Sequence, residues 1–80
     1  MTVFENMYMY YLPGCPFCAK VDRFLQSEGL QIEHRSVMDP QNAEDIVRIG
    51  GKKQSPCLIV DGRALYESDD IIEYLKGLPR

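Results

Sequence analysis

The sequence contains no tryptophan, one histidine and only three cysteines among its 80 residues. It also lacks an excess of basic residues, because twelve aspartates and glutamates outweigh nine lysines and arginines for a net charge of −3. A general nucleic-acid-binding protein needs a positive surface, so that class is excluded. No apolar run approaches the roughly 18 residues of a membrane-spanning helix, and no basic-then-apolar secretory pattern opens the chain. We therefore expect a cytoplasmic protein without nucleic-acid or membrane partners.

What the sequence does contain indicates one small folded domain. Apolar residues make up 45% of the chain and charged residues 26%, which is ordinary for a globular protein. Eighty residues are close to the lower limit for a self-sufficient two-layer core. We expect a single domain over residues 1–80, acting as a monomer.

The three cysteines divide into a close pair and a distant single residue. Cys15 and Cys18 are spaced C-x-x-C, and Cys57 lies far downstream. An odd count argues against the disulfide framework of a secreted protein. A zinc site needs four ligands, and only Cys57 and His34 are available to join the pair, so no metal site is expected. This leaves a redox dithiol or two cysteines that simply pack in a core.

Hydrophobic periodicity and turn signals predict seven elements in the order β-α-β-α-β-β-α. The helices are predicted to begin at Pro16, after Asp39 and at Glu67, where proline or capping residues favour a helix start. The first helix is expected to end at Gly29 and to have an apolar stripe that includes Phe17. The predicted strands are 6–12, 32–37, 58–60 and 64–65. This order indicates an α/β fold, a central mixed four-stranded sheet flanked by helices.

The C-x-x-C pair falls at the start of the first helix. Cys15 is predicted to be the N-cap, and Cys18 to lie one turn inside the helix and point inward. Unpaired N–H groups and the helix dipole stabilise an anion at this end, so the pKa of Cys15 should lie below the ~8.5 of a free thiol. The thiolate is the nucleophile in disulfide exchange. The placement therefore favours a redox dithiol.

The segment G-C-P-F-C at 14–18, after a first strand with several tyrosines, resembles the active site of dithiol glutaredoxins, usually C-P-Y-C. Thioredoxins instead have a tryptophan before C-G-P-C. The resemblance covers nearly the whole chain and implies the thioredoxin-like fold. It implies that Cys15 attacks a disulfide or glutathionylated protein thiol, and that Cys18 or glutathione resolves the product. Glutathione is then a co-substrate, and no tightly bound cofactor is expected.

Two later motifs resemble the glutathione-binding groove of glutaredoxins. Ser55-Pro56 stands at the position of the family's cis-proline, where the preceding residue pairs through its backbone with the cysteinyl part of glutathione. Ser68 and Asp69 match the start of the last helix, where N–H groups hold the γ-glutamyl carboxylate and an aspartate accepts the ammonium. The resemblance implies a glutathione site at Ser55, Pro56, Glu67, Ser68 and Asp69.

The sequence also departs from the glutaredoxin pattern. Tyr66-Glu67 replaces a pair of glycines, and Glu67-Ser68 followed by I-x-x-Y-L resembles the N-terminal domain of glutathione transferases. Leu12 stands where a basic residue usually faces the glycyl carboxylate of glutathione. The other candidate partners for that carboxylate are Arg48, Lys52 and Lys53.

Two alternatives to a glutathione-dependent enzyme stay open. One is a glutathione- or iron–sulfur-binding module, in which Cys15 from two chains holds a cluster together with two glutathiones. The other is an electron donor to one specific reductase.

Cys57 is expected to pack in the core of a strand, although a redox partnership with Cys15 stays open. Lys20 is a candidate positive charge near the dithiol.

Overall fold

A four-stranded mixed sheet organises residues 2–78, the part of the chain that the computed structural model describes. The strands lie in the order β2-β1-β3-β4; β1 is parallel to β2, and β3 is antiparallel to β1 and β4. The strand bounds are β1 Thr2–Tyr11, β2 Leu30–Ser36, β3 Cys57–Val60 and β4 Arg63–Leu65. The helix bounds are α1 Pro16–Glu28, α2 Pro40–Gly50 and α3 Ser68–Lys76. The predicted element order and mixed sheet are confirmed.

The two faces of the sheet carry separate cores because successive strand residues point to opposite sides. Met7 and Met9 of β1 belong to one buried cluster, together with Leu58 of β3 and the apolar faces of α1 and α3. Tyr10 belongs to the other, which it shares with Ile46 of α2. Helices α1 and α3 therefore cover one face and α2 covers the other. Within residues 2–78, no helix combines the length and apolarity needed to cross a membrane.

Both ends of α1 and the start of α2 follow the signals of the sequence, whereas α3 begins at Ser68, one residue after the predicted Glu67, which makes no side-chain cap. Cys15 is extended, with φ −77° and ψ 123°, and Pro16 opens α1. Gly29 ends α1 in the left-handed conformation, with φ 67°, which a glycine adopts without strain. The side chain of Asp39 caps α2 by accepting a hydrogen bond from the backbone N–H of Gln41 at 2.9 Å. The predicted ends of α1 and the predicted start of α2 are confirmed.

The first two strands begin earlier than the sequence pattern predicts. β1 begins at Thr2 rather than at 6, and β2 at Leu30 rather than at 32. The early parts pair with each other, and the register then shifts between Phe4 and Tyr8. Charged Glu5 lies in this irregular stretch and interrupts the apolar pattern, so the sequence signal starts only after it. Pairing with β2 forms this end of the strand.

The expectation that Phe17 belongs to the buried stripe of α1 is wrong. Phe17 is 61% exposed, whereas Val21 and Leu25 of the same helix are buried. Phe17 lies in the first turn of α1 and lines a surface groove rather than packing on the sheet. Its exposure gives that groove an aromatic wall.

Gly50 at the end of α2 lies against Tyr66. A Cβ atom at Gly50 would come within 2.0 Å of the phenol oxygen of Tyr66 and 3.0 Å of the Cβ of Ala64. Helix propensity alone favours alanine over glycine by about 1 kcal/mol. The contact with Tyr66 opposes this gain in stability, because overpacking typically costs about 1–3 kcal/mol.

We predict that Gly50→Ala lowers the free energy of unfolding, measured by denaturant titration, by up to ~2 kcal/mol, which is the overpacking cost less the gain in helix propensity. The same substitution in a Tyr66→Ala background should cost less, because the phenol is no longer there to be displaced. An equal cost in both backgrounds would show that the contact with Tyr66 is not the cause.

Candidate active site

Cys15 lies in the turn between β1 and α1. Its backbone N–H donates a hydrogen bond to the carbonyl of Leu12 at 3.1 Å, and Gly14 adopts a positive φ of 83° to close the turn. The Cys15 side chain is partly exposed and the thiol is free. A substrate sulfur can therefore approach Cys15 from solvent.

The environment of Cys15 favours its thiolate. Burial alone would raise the pKa of this thiol. Hydrogen bonding from the backbone and thiol of Cys18, from the backbone of Phe17 and from the side chain of Ser55 lowers it. These donors outweigh burial and lower the pKa of Cys15 from its ordinary value. The predicted direction of this shift is confirmed.

Cys18 has the opposite properties. It is 3% exposed and points inward, as predicted. Burial raises the pKa of Cys18, and the adjacent negative charge of Cys15 adds to the rise. The two cysteines of the pair therefore differ: Cys15 is partly exposed with a lowered pKa, and Cys18 is buried with a raised one.

A groove beside the dithiol combines residues from three parts of the chain. The Ser55-Pro56 peptide bond is cis, and the Ser55 hydroxyl interacts with the sulfurs of both Cys15 and Cys18. The groove holds about 240 Å³ and is lined by Phe17, Gln54, Ser55, Pro56, Glu67 and Ser68. Four of the five predicted glutathione residues thus line one groove.

The start of α3 forms one end of this groove. Glu67 has a φ of 59°, a positive value that is uncommon for a side-chain-bearing residue. Its carboxylate accepts a hydrogen bond from the Gln54 amide at 3.0 Å. Ser68, the first residue of α3, is 7% exposed. The first N–H groups of a helix have no partner within the helix, so this end suits an anion.

Asp69, the fifth predicted residue, does not line the groove. Its carboxylate forms an ion pair with the ammonium of Lys20, which reaches across from α1. The charge of Lys20 is thus directed to the start of α3. Among the candidate partners for a glycyl carboxylate, Arg48 pairs with Asp45 at 3.1 Å.

Sequence reasoning missed the contribution of Tyr66 and Gln54. Tyr66 donates a hydrogen bond to the carbonyl of Lys52 at 2.7 Å, and the ammonium of Lys52 lies 4.6 Å from the centre of its ring. With the bond between Gln54 and Glu67, this ties the segment before Pro56 to the segment before α3. The replacement of two glycines by Tyr66-Glu67 was the available signal, since it adds two side chains at this position.

Cys57 takes no part in the groove. It is fully buried on β3 beside Tyr10, as predicted, and burial raises its pKa to about 11. Across residues 4–78, no three histidine, cysteine, aspartate or glutamate side chains are grouped to hold a metal ion. A larger surface cavity, about 630 Å³ between the β3–β4 hairpin and α3, is lined by no cysteine. Of the three cysteines, Cys15 alone is not buried.

Known proteins resemble this chain in sequence and in fold. A hybrid peroxiredoxin of Haemophilus influenzae is 29% identical over 70 residues, which cover 88% of this chain and 29% of that protein. The crystal structure of glutathione transferase Omega 3C from Trametes versicolor superposes with a TM-score of 0.79 at 20% identity, over 91% of this chain and 31% of that one. The chain therefore spans less than a third of the length of either protein.

A glutaredoxin and a family model complete the comparison. The glutaredoxin of Methanosarcina mazei Go1 superposes with a TM-score of 0.73 at 19% identity, over 96% of this chain and 82% of that one. These superpositions confirm the thioredoxin-like fold. The model of the family described as glutathione S-transferase, N-terminal domain, matches residues 9–80. The chain belongs to the family of glutathione S-transferase N-terminal domains.

Proposed function

We propose that the protein is a glutathione-dependent thiol–disulfide oxidoreductase. The observation that carries this proposal is the asymmetry of the dithiol: Cys15 is accessible with a lowered pKa, and Cys18 is buried with a raised one. Disulfide exchange needs a thiolate to attack and a second thiol to resolve the mixed disulfide. Two cysteines that only pack in a core have no reason to differ in this way.

In the proposed reaction, the Cys15 thiolate attacks one sulfur of a protein disulfide or a glutathionylated protein thiol. The substrate S–S bond breaks, the departing sulfur takes up a proton, and Cys15 is left in a mixed disulfide. Cys18 then loses its proton and attacks the Cys15 sulfur, which releases the second thiol and forms the Cys15–Cys18 disulfide. Two glutathiones reduce that disulfide and leave as oxidised glutathione.

Glutathione is proposed to bind in the groove beside Cys15. The backbone of Ser55, before the cis-proline Pro56, would pair with the cysteinyl part of glutathione. Its γ-glutamyl carboxylate would lie on the first N–H groups of α3, at Glu67 and Ser68, with Asp69 near its ammonium. The membership in a glutathione transferase domain family supports this choice of co-substrate.

The relatives support thiol chemistry without fixing the protein substrate. A hybrid peroxiredoxin and glutaredoxins are among the similar proteins, which is in keeping with a redox dithiol. An odd number of cysteines suits the cytoplasm, where the glutathione pool keeps thiols reduced, and we propose that the protein acts there as a monomer. The proposal needs no tightly bound cofactor.

Replacing each cysteine separately tests the assignment. We predict that Cys15→Ser abolishes the reduction of a glutathionylated peptide, because the nucleophile is lost. Cys18→Ser should retain this activity, because glutathione itself can attack the mixed disulfide at Cys15. The assay follows NADPH oxidation coupled through glutathione and glutathione reductase.

Cys57→Ala is the matched control, since it removes the third thiol from outside the groove and should leave turnover unchanged. Full activity in Cys15→Ser would refute the mechanism. Turnover with thioredoxin reductase in the absence of glutathione would instead favour an electron donor to one specific reductase.

The pH dependence of alkylation tests the asymmetry directly. Iodoacetamide reacts with the thiolate, so the pH at which Cys15 reacts at half its maximal rate reports its pKa. We predict a midpoint lower than that of the same cysteine in the urea-unfolded chain, and an upward shift in Cys18→Ala, which lacks the donating thiol. Peptide mapping by mass spectrometry should find Cys57 unmodified in the folded protein. A Cys15 midpoint at or above the unfolded value would contradict the proposed nucleophile.

A further inference from the structure

The ion pair between Lys20 and Asp69 links the two helices that border the dithiol. The ammonium of Lys20 on α1 bonds to the carboxylate of Asp69 in the first turn of α3. Their side chains are 44% and 76% exposed, so water and ligands reach both groups. Asp69 directly follows Ser68, which lines the groove. The disulfide exchange described above makes no use of this pair.

The charged groups of glutathione explain how this ion pair would affect its binding. The γ-glutamyl end of glutathione carries a carboxylate and an ammonium on the same carbon. If the carboxylate lies on the first N–H groups of α3, the ammonium needs a carboxylate within the same turn. Glu67 is already bonded to the Gln54 amide. The first turn of α3 holds two further acids, Asp69 and Asp70, and Asp69 is the one that directly follows the groove-lining Ser68.

We propose that Lys20 is a specificity-determining residue that occupies the place of the γ-glutamyl ammonium on Asp69. The inference rests on the proposed function and concerns the same groove. A glutathione ammonium must then displace one of the protein's own ammonium groups, so its contact with Asp69 adds little net affinity. A peptide segment of a protein disulfide pairs with the backbone of Ser55 and needs no amino group. It leaves the ion pair intact.

The selectivity predicted from this arrangement favours disulfide-bearing peptides and proteins over ligands with a free γ-glutamyl amino group. Leu12 acts in the same direction, because it lines the surface next to Cys15 and offers no charge to the glycyl carboxylate. Leu12 and the Lys20–Asp69 pair would thus each weaken recognition of one end of glutathione. The cysteinyl residue in the middle of glutathione keeps its proposed pairing with the backbone of Ser55.

Two ligands that differ only in the amino group isolate this effect. We use S-methylglutathione, which cannot react, and its analogue in which a glutaryl group replaces the γ-glutamyl group, and measure both dissociation constants by NMR titration. Both ligands carry the same carboxylates, so the attraction of Lys20 to those carboxylates cancels in the ratio of the two dissociation constants. Because an exposed ion pair is a weak interaction, Lys20→Gln should raise the preference for the amino-bearing ligand only about 2- to 5-fold.

Three further variants sharpen the result. Lys20→Arg retains a cation and should keep the wild-type ratio, whereas Asp69→Asn should bring the ratio close to one with or without Lys20. Lys76→Gln removes a similarly exposed lysine, paired with Glu73 at 3.4 Å on the same α3, and should change nothing.

An unchanged ratio in Lys20→Gln, with both ligands still bound, would overturn the role of Lys20 and leave the proposed function intact. Absence of binding by either ligand to the wild-type protein and to Lys20→Gln would instead refute the glutathione groove itself.

Discussion

The hydrogen bonding that lowers the pKa of Cys15 at the start of α1 is the interaction on which the proposed chemistry depends. Two backbone N–H groups, those of Phe17 and Cys18, donate to the Cys15 sulfur only because the chain enters a helix there. Pro16 favours that entry, since its ring presets the helical φ and its missing N–H is not needed in the first turn. The helix is fixed in turn by the burial of Val21 and Leu25 against the sheet. Core packing and nucleophile activation are therefore parts of one arrangement.

Most of the fold follows from local signals in the sequence. Asp39 caps the start of α2 with its side chain, and Gly29 ends α1 in the left-handed conformation, so these boundaries could be predicted. The early part of β1 could not, because it is held by pairing with β2 rather than by its own apolar pattern. Phe17 has the apolar spacing of a core residue, but its surroundings are decided by where the groove opens. Such placement depends on tertiary structure.

The residues of the candidate site also divide into those with a local sequence signal and those without one. Cys15 and Cys18 were identified from their spacing at a helix start, a local feature. Ser55 and Ser68 were identified only through resemblance to a family, because nothing in their own neighbourhood places them beside Cys15. The side-chain bonds that join their segments, from Gln54 to Glu67 and from Tyr66 to the Lys52 carbonyl, leave no periodic signal at all. Contacts between distant polar residues need the folded structure to be seen.

The replacement of two glycines by Tyr66-Glu67 exchanges backbone freedom for side-chain contacts. Glu67 keeps the positive φ that a glycine would adopt easily, a conformation that costs of order 1 kcal/mol or more in other residues. Its bond to Gln54, and that of Tyr66 to the carbonyl of Lys52, offset this cost and join the cis-proline segment to the start of α3. A groove built this way is held in shape before any ligand binds. In the proposed function, an edge already formed in this way reduces the ordering cost of pairing with an extended peptide backbone.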